Sequence, residues 1–246
     1  MHTRYQPCPK CQAKGNDNAG DNLVYWPDGS AHCFSCGYHI HPKHYIPKVV
    51  ENNVPKSLCP IDFTREVPTE SLKWLLQFGL PWSYWKESIG YSPSEERLIF
   101  RVFCEGTDRD QPGPLAFSIG RYNGPEARRK WYAWGDPHKH CHVVRPTREE
   151  QFNSIVLVED LISAHKVGQV TPCIPLFGTR WHPCHLYYLI NEAKPVVLWL
   201  DKDQANSVKS KALQLEQLLN QPVTVVSTDK DPKWLTEKEI YEKVYC

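Results

Sequence analysis

Two pairs of cysteines near the start of the chain constrain its fold more than any other feature of the sequence. Each pair has the spacing Cys-x2-Cys, and twenty-one residues separate the pairs; they are Cys8 with Cys11 and Cys33 with Cys36. A Cys-x2-Cys turn presents two sulfurs about one tetrahedral edge apart, and two such turns make the four-thiolate site of a zinc ribbon. We therefore predict one structural zinc ion.

The segment between the two pairs has the pattern of a β-hairpin. Strand-forming residues at 23–26 and 31–34 flank a Pro-Asp-Gly-Ser turn. A ribbon this small cannot bury enough apolar surface to fold alone, so the metal would hold the hairpin together. His32, His39 and His41 lie close enough to replace one thiolate, although four sulfurs already complete a tetrahedron.

Aromatic and basic residues of this segment have two possible roles. They could stack on bases and contact phosphates of a single-stranded nucleic acid, or the aromatic rings could simply form the small core of the ribbon. The residues are Lys10, Lys14, Tyr25, Trp26, Phe34 and Tyr38. For any single ring, the core role is favoured.

The charge of the chain is unevenly distributed. The formal net charge over 246 residues is only +1. Residues 97–148, however, carry ten Lys and Arg against five Asp and Glu, whereas residues 149–246 carry ten against thirteen. A basic middle segment followed by an acidic one is expected for a phosphate-binding surface beside a metal site.

The sequence contains neither a membrane-span pattern nor the pattern of a secretory signal at its start. We therefore expect no membrane association, a cytoplasmic location, and ten cysteines that are reduced thiols or metal ligands rather than a disulfide framework.

Composition and periodicity predict an α/β protein with four parts. A zinc ribbon at 1–39 is followed by a Pro-rich linker at 40–68, a basic α+β subdomain at 69–148 and an alternating segment at 149–246. In the subdomain we predict helices at 69–79 and 81–90, then antiparallel strands at 98–103, 115–121 and 130–134.

Short apolar runs alternate with amphipathic helices in the last segment, which predicts a parallel sheet with helices on both faces. The predicted strands span 155–158, 171–175, 196–200 and 223–226, and the predicted helices span 161–167, 182–192, 208–219 and 236–245.

Acidic residues follow three of these strands. Glu159 follows the first, Asp201 and Asp203 follow the third, and Asp231 lies in a loop after the fourth. The carboxyl ends of parallel strands share one edge of a sheet, where such folds bind ligands. Any one of these acids could be a solvated or helix-capping residue, but acids after three strands predict a site for one or two Mg²⁺ ions, with Mn²⁺ as an alternative.

These residues carry a resemblance to a known family. The strand ending in Glu159, the run Leu-Trp-Leu-Asp201-Lys-Asp203 and the run Asp229-Lys-Asp231-Pro-Lys resemble the Toprim domain of primases and topoisomerases. Together with the four-cysteine ribbon, the chain resembles the primase half of fused phage primase-helicases and related stand-alone phage primases.

The resemblance implies a DNA primase that makes short RNA primers on single-stranded DNA from ribonucleoside triphosphates. It implies that the ribbon recognises the template, that Glu159, Asp201 and Asp203 are catalytic, and that these three with Asp231 hold magnesium. It also implies that Arg97, Arg121 and Lys130 bind nucleotide or template. No nucleotide-binding loop of a motor is present, so the replicative helicase is expected to be a separate protein.

The chain departs from the family pattern at two positions. That pattern has Gly directly after the glutamate and Asp four residues after it, where this chain has Asp160 and Ser163. The departure leaves open which acid supports Glu159.

Two other functions fit the same features. A Toprim-type nuclease would cut DNA without nucleotides, and a non-catalytic zinc-ribbon adaptor would bind single strands without turnover. A second metal site formed by the histidines and cysteines at 138–142 and 182–185 is disfavoured, because their spacings are irregular.

Overall fold

The computed structural model describes residues 4–17, 20–26, 29–33, 35–40, 57–104, 113–125, 129–146 and 152–246. The chain divides into two compact units, Met1–Pro55 and Lys56–Cys246. The boundary falls inside the predicted linker at 40–68, most of which, residues 41–56, lies outside the described residues. The finer division into four domains stays a prediction.

The N-terminal unit is an antiparallel sheet with one short helix. Strands β1 to β4 follow one another across the sheet in chain order, and helix α1 lies between β1 and β2. Their bounds are Arg4–Gln6 for β1, Pro9–Gln12 for α1, Leu23–Tyr25 for β2, Ala31–Cys33 for β3 and His39–Ile40 for β4. The predicted hairpin is β2 and β3, so this part of the prediction is confirmed.

The second unit begins with two helices and an antiparallel sheet of four strands in the order β5-β6-β7-β8. The elements are α2 at Thr69–Leu76, α3 at Trp82–Trp85, β5 at Ile89–Ser92, β6 at Arg97–Phe103, β7 at Leu115–Tyr122 and β8 at Trp131–Trp134. Apolar side chains of α2, α3 and β6 share one core cluster with Leu161 and Ile162.

A parallel sheet of four strands in the order β10-β9-β11-β12 forms the rest of the unit. Its elements are β9 at Ile155–Val158, α4 at Leu161–Val167, β10 at Cys173–Pro175, α5 at Pro183–Glu192, β11 at Val196–Trp199, α6 at Ala205–Leu219, β12 at Val223–Val225 and α7 at Glu237–Tyr245. The predicted alternation is confirmed, with boundaries that differ by up to three residues.

Alternate residues of the parallel strands enter two separate cores, as a sheet covered on both faces requires. Ile155 and Leu157 of β9 pack in a cluster with residues of α5 and α6. Val156 and Val158 pack in another cluster with residues of α4 and α7. The predicted fold class, an α/β protein whose parallel sheet has helices on both faces, is therefore confirmed.

One prediction in the antiparallel region was wrong. The helix expected at 81–90 ends at Trp85, and Gly90 lies inside strand β5. A Cβ at Gly90 would meet Phe63 and the Thr64 carbonyl oxygen at 2.3 Å, so this glycine permits a close approach rather than ending a helix.

The described end of the predicted linker belongs to the folded unit. Thr64 pairs with Tyr91 of β5, and the Asp62 carboxylate accepts hydrogen bonds from the Ser92 hydroxyl at 2.6 Å and the Ser94 amide at 2.7 Å. Residues 62–64 are therefore part of the sheet edge rather than a free tether.

None of the helices in the described ranges combines the length and the apolar composition that crossing a membrane requires.

A buried histidine pair makes stability depend on pH. The rings of His142 and His165 have centroids 6.1 Å apart, and His165 Nδ1 lies 2.6 Å from the Tyr84 hydroxyl. Burial lowers the pKa of His142 to about 4, and burial also lowers the pKa of His165. Because the unfolded chain takes up protons first, stability is full above about pH 6.5 and is lost as the pH falls toward 4.

We predict that acidification from pH 7 to pH 4 removes about 3 kcal/mol of stability through His142 alone. Urea unfolding of the wild type and of His142→Gln at a series of pH values measures this. The variant should show the shallower pH dependence. Equal slopes for the two proteins between pH 6.5 and 4 would contradict the assignment.

Candidate metal centres and nucleic-acid interface

The four predicted zinc ligands come together in the N-terminal unit. The Sγ atoms of Cys8 and Cys36 are 3.5 Å apart, those of Cys11 and Cys33 are 3.6 Å apart, and all four thiols lie within 4.8 Å of one another. A tetrahedron with Zn–S bonds of about 2.3 Å has edges of about 3.8 Å, so the thiols fit a zinc ion. In the described part of the chain, this is the only group of three or more potential ligands that converges so closely.

Local hydrogen bonds position the first pair of thiols. Cys8 precedes α1, and its carbonyl accepts from the Gln12 amide at 2.8 Å. The Cys8 amide in turn donates to Asp17 at 2.6 Å, and Asp17 also accepts from the Asp21 amide. Sequence reasoning missed this buried acid, because its role depends on a contact nine residues away.

The other ribbon residues divide between core and surface. Tyr25 and Tyr38 pack partly against the cysteine cluster, which confirms the core role for these two rings. Trp26 is exposed, and the Lys10 ammonium lies 5.3 Å from the centre of the Tyr38 ring. Phe34 and His41 lie outside the described residues. His32 and His39 are not members of the convergent ligand group.

We predict that the purified chain contains one zinc ion and that Cys33→Ser loses it. A ribbon without its metal should unfold, because the apolar core of this unit is small. Metal analysis together with limited proteolysis measures both effects. Cys246→Ser, which changes an exposed thiol outside the cluster, is the control and should keep the zinc. Zinc retained at full occupancy by Cys33→Ser would contradict the site.

The predicted acids of the second unit lie at one edge of the parallel sheet. Glu159 follows β9, Asp201 follows β11 and Asp231 follows β12, and these are three neighbouring strands. An open groove of about 630 Å³ at this edge is lined by Asp201, Lys202, Asp203, Ala205 and Asp231. The topology therefore places the acids where an α/β sheet binds ligands.

Asp201 and Asp203 do not share an extended strand end. Strand β11 ends at Trp199, and Lys202–Gln204 forms a 3-10 turn that leads into α6. Asp201 precedes this turn and is half-buried, whereas Asp203 lies within it and is exposed. Their carboxylates therefore do not stand side by side on a strand.

Lys233 is the centre of the acidic cluster, and sequence reasoning did not assign it a role. Its Nζ atom lies 2.9 Å from Asp160 Oδ2, 3.0 Å from Asp231 Oδ2 and 3.3 Å from Asp201 Oδ2. The Lys233 side chain is only 19% exposed. Burial lowers the pKa of Lys233, but the three carboxylates outweigh it, so the pKa lies above its ordinary value.

Glu159 lies outside these ion pairs. Burial, and then the charges of Asp201, Asp203 and Asp160, raise the pKa of Glu159 to about 7. Burial also raises the pKa of Asp201 to about 6, against the lowering effect of Lys233. Glu159 Oε2 and Asp201 Oδ1 are buried and have no hydrogen-bond partner. Two such carboxylate oxygens fit a divalent cation, because an unpaired buried oxygen is costly.

Lys211 of α6 is a second cation that sequence reasoning missed. Burial lowers the pKa of Lys211, although Glu159 and Asp203 lie near enough to raise it. Its Nζ atom donates to Gln204 Oε1 at 3.2 Å. The two lysines therefore serve different acids of this edge. Lys233 pairs with Asp160, Asp201 and Asp231, whereas Lys211 interacts with Glu159 and Asp203. In the sequence, Lys233 ends the Asp229-Lys-Asp231-Pro-Lys run, but nothing in that run indicates its distant partners, and Lys211 belongs to no such pattern.

The two departures from the family pattern contact each other. Asp160 is the N-cap residue of α4, and it accepts from the Ser163 amide at 3.0 Å and from the Ser163 hydroxyl at 2.9 Å. Its Oδ2 atom also faces Lys233. Asp160 therefore supplies a carboxylate to the cluster, beside Glu159.

The three predicted phosphate-binding residues differ in their surroundings. Arg121 is half-buried, and its guanidinium carbon lies 5.0 Å from the ring of Trp74 and 5.2 Å from that of Trp131. Burial lowers the pKa of Arg121, while the nearby charge of Asp160 raises it. Arg121 therefore lies on the side of the sheet that faces the acidic edge.

Arg97 is part of the sheet structure. It is 6% exposed, and its guanidinium donates to the carbonyl oxygens of Arg129 at 2.8 Å, Lys130 at 3.1 Å and Gly120 at 3.5 Å. Phosphate binding by Arg97 would require these bonds to be exchanged. Lys130 is exposed beside β8. The binding roles of all three residues stay predictions.

The second histidine and cysteine cluster does not form a convergent metal site among the described residues. His138 and His182 stack with ring centroids 3.9 Å apart, while His142 and His185 are buried. A second metal site stays disfavoured on the irregular spacing of these residues in the sequence.

Comparison with known proteins identifies the fold. No family model matches the chain. No curated protein matches it. Among solved structures, the zinc-binding and RNA polymerase domains of the Aquifex aeolicus primase match with a TM-score of 0.57 and 13% identity, over 98% of this chain and 77% of that one. The primase fragment of the bacteriophage T7 primase-helicase matches with a TM-score of 0.49 and 15% identity, over the full length of both chains.

The chain therefore has the fold of a zinc-binding unit and an RNA polymerase domain of the primase type. This fold agrees with the resemblance found in the sequence, and the convergent cysteines occupy the zinc-binding unit.

Proposed function

We propose that this protein is a DNA primase, a DNA-directed RNA polymerase that makes short RNA primers on single-stranded DNA from ribonucleoside triphosphates. The observation that carries the proposal is the acidic edge, where carboxylates follow three neighbouring strands of the parallel sheet. The primase-type fold supports the same reaction class.

The two unpartnered carboxylate oxygens indicate which residues would hold magnesium. Glu159 Oε2 and Asp201 Oδ1 are the buried acceptors that lack a donor, and Asp203 and Asp231 line the same region. When bound there, Mg²⁺ or Mn²⁺ supplies charge neutralisation for phosphoryl transfer. The carboxylates would orient the reacting groups, because this reaction depends on in-line positioning more than on covalent catalysis.

The basic residues would bind the triphosphate and the template. The Arg121 guanidinium, which lies beside the rings of Trp74 and Trp131, has charge available for phosphate oxygens on the side that faces Asp160. The exposed Lys130 would add a second charge. In the zinc ribbon, the exposed Trp26 would offer a stacking face for a template base, and Lys10, whose ammonium lies over the Tyr38 ring, would add a positive charge.

The proposal implies further partners. A primase acts at a replication fork, and the chain contains no nucleotide-binding loop of a motor, so we propose that a separate helicase opens the duplex. A cytoplasmic location, inside the host if the gene belongs to a phage, follows from the same function.

We predict that the protein makes short RNAs when it is incubated with single-stranded DNA of mixed sequence, four ribonucleoside triphosphates and Mg²⁺. The double change Asp201→Asn with Asp203→Asn should lower the yield by about 100-fold or more, because several kcal/mol of charge stabilisation is lost. Sequencing of the products reports their start site and length.

The matched control is Asp229→Asn, which neutralises an exposed acid of a neighbouring loop and should leave the yield unchanged. Undiminished synthesis by the double variant would refute the assigned site. Cleavage of DNA without nucleotides would favour the nuclease, and binding without any turnover would favour the adaptor.

A second pair of variants separates nucleotide binding from structure. Arg121→Gln should raise the KM for ribonucleoside triphosphates by about tenfold, because one charged contact to phosphate is lost. Arg97→Gln should instead lower the free energy of unfolding by about 2 kcal/mol or more, since it leaves backbone carbonyls without donors. Kinetics and urea unfolding of both variants test this contrast. If Arg97→Gln raised the KM and Arg121→Gln lowered the free energy of unfolding, the two roles would be exchanged.

A further inference from the structure

The ammonium group of Lys233 lies among the carboxylates of the acidic edge, at a position that a metal ion would otherwise occupy. We propose that its ammonium is a resident cation, which substitutes for one divalent ion and leaves a single metal position beside Glu159 and Asp201. The inference rests on the proposed function, because it concerns how that site binds its cation.

The first argument is the number and origin of the contacts. An ammonium group has three donors. The Lys233 ammonium lies within 3.3 Å of one carboxylate oxygen from each of three acids, Asp160, Asp201 and Asp231. These acids follow β9, β11 and β12, so the lysine joins all three strand ends. The ammonium donates hydrogen bonds to Asp160 and Asp201 and forms an ion pair with Asp231, so its charge is fixed at the common edge.

The second argument is that the backbone holds Lys233 in place. Lys233 lies in the 3-10 turn Pro232–Trp234, which begins with a buried proline. The ring of Trp234 packs on Phe78 with centroids 4.7 Å apart, and Leu235 is buried in the core beside α4 and α7. The ammonium reaches the carboxylates from a segment that is packed on both sides of it.

The third argument comes from distances. Carboxylates bound to Mg²⁺ lie about 2.0–2.1 Å from the ion. Around Lys233 they lie at 2.9, 3.0 and 3.3 Å from the nitrogen. The ammonium thus holds the three acids about 1 Å too far out for a metal ion at its position. This spacing explains why the acids, within the described ranges, do not form a convergent ligand group.

The fourth argument is that the two carboxylate oxygens of Asp201 have different surroundings. Its Oδ2 atom faces Lys233, while its Oδ1 atom is buried without a partner, as is Glu159 Oε2. The two buried oxygens without a hydrogen-bond donor therefore belong to Glu159 and to the side of the Asp201 carboxylate that does not face Lys233. A single metal ion between these two carboxylates, together with the Lys233 ammonium, would neutralise the edge.

The test counts Mn²⁺ ions bound to the zinc-loaded full chain, by electron paramagnetic resonance of free Mn²⁺ and by titration calorimetry. The wild type should bind one Mn²⁺ at the acidic edge. Lys233→Met should bind two, because three carboxylates become free to move inward. Lys233→Arg, which keeps the charge, should bind one. The matched control is Lys230→Met, which removes an exposed lysine of the same loop and should also bind one.

Two outcomes would overturn the inference. One is a wild type that binds two Mn²⁺ ions with similar affinity, and the other is Lys233→Met with the same number and affinity as the wild type. Thermal unfolding gives a second measurement if Lys233→Met is unstable. Mn²⁺ should then raise its midpoint more than that of the wild type, and equal shifts would also count against the inference.

The result is separate from the proposed activity. A protein that makes no RNA, but gains a Mn²⁺ ion in Lys233→Met, would refute the primase proposal and retain the role of Lys233. A protein that makes RNA, but whose Lys233→Met variant binds no additional Mn²⁺ ion, would support the primase proposal and refute the role of Lys233.

Discussion

Repulsion among carboxylates is the constraint that the acidic edge of this protein has to meet. The parallel sheet brings acids from three neighbouring strands to one place, where burial raises the pKa of both Glu159 and Asp201. A group of buried like charges is stable only with positive charge beside it. Lys233 supplies that charge from within the chain, through three ion pairs. The fold can therefore assemble this edge before any metal ion binds.

The packing that carries Lys233 also connects the two sheets of the second unit. Leu161 and Ile162, in the first turn of α4, pack in the same cluster as α2, α3 and β6. That turn begins at Asp160. The same hydrophobic core cluster therefore connects the antiparallel sheet to the acidic edge. Arg121, on a strand of the antiparallel sheet, consequently lies within electrostatic reach of Asp160. On the proposed function, Arg121 and the acids of this edge would act on the same substrate, and this shared core would hold them at a fixed separation.

The sequence was sufficient to predict features that depend on local pattern. The Cys-x2-Cys pairs predicted the thiol cluster, and alternating apolar runs predicted the parallel sheet with its acids at the strand ends. It was insufficient where a contact joins distant residues. From the sequence, Gly90 was interpreted as the end of a helix, but in the structure it permits a close approach to Phe63. Lys233 read as a loop lysine, because nothing in its own segment shows that Asp160, seventy-three residues earlier, faces it. Roles for Arg97, Lys130 and the metal ligands remain predictions.

The N-cap position of Asp160 has an energetic consequence. A carboxylate held by the amide and hydroxyl of Ser163 at the start of α4 has little rotational freedom to lose. Preorganisation of this kind lowers the entropic cost of association. Two substitutions that break a motif in the sequence thus give this chain an acid that is already immobilised.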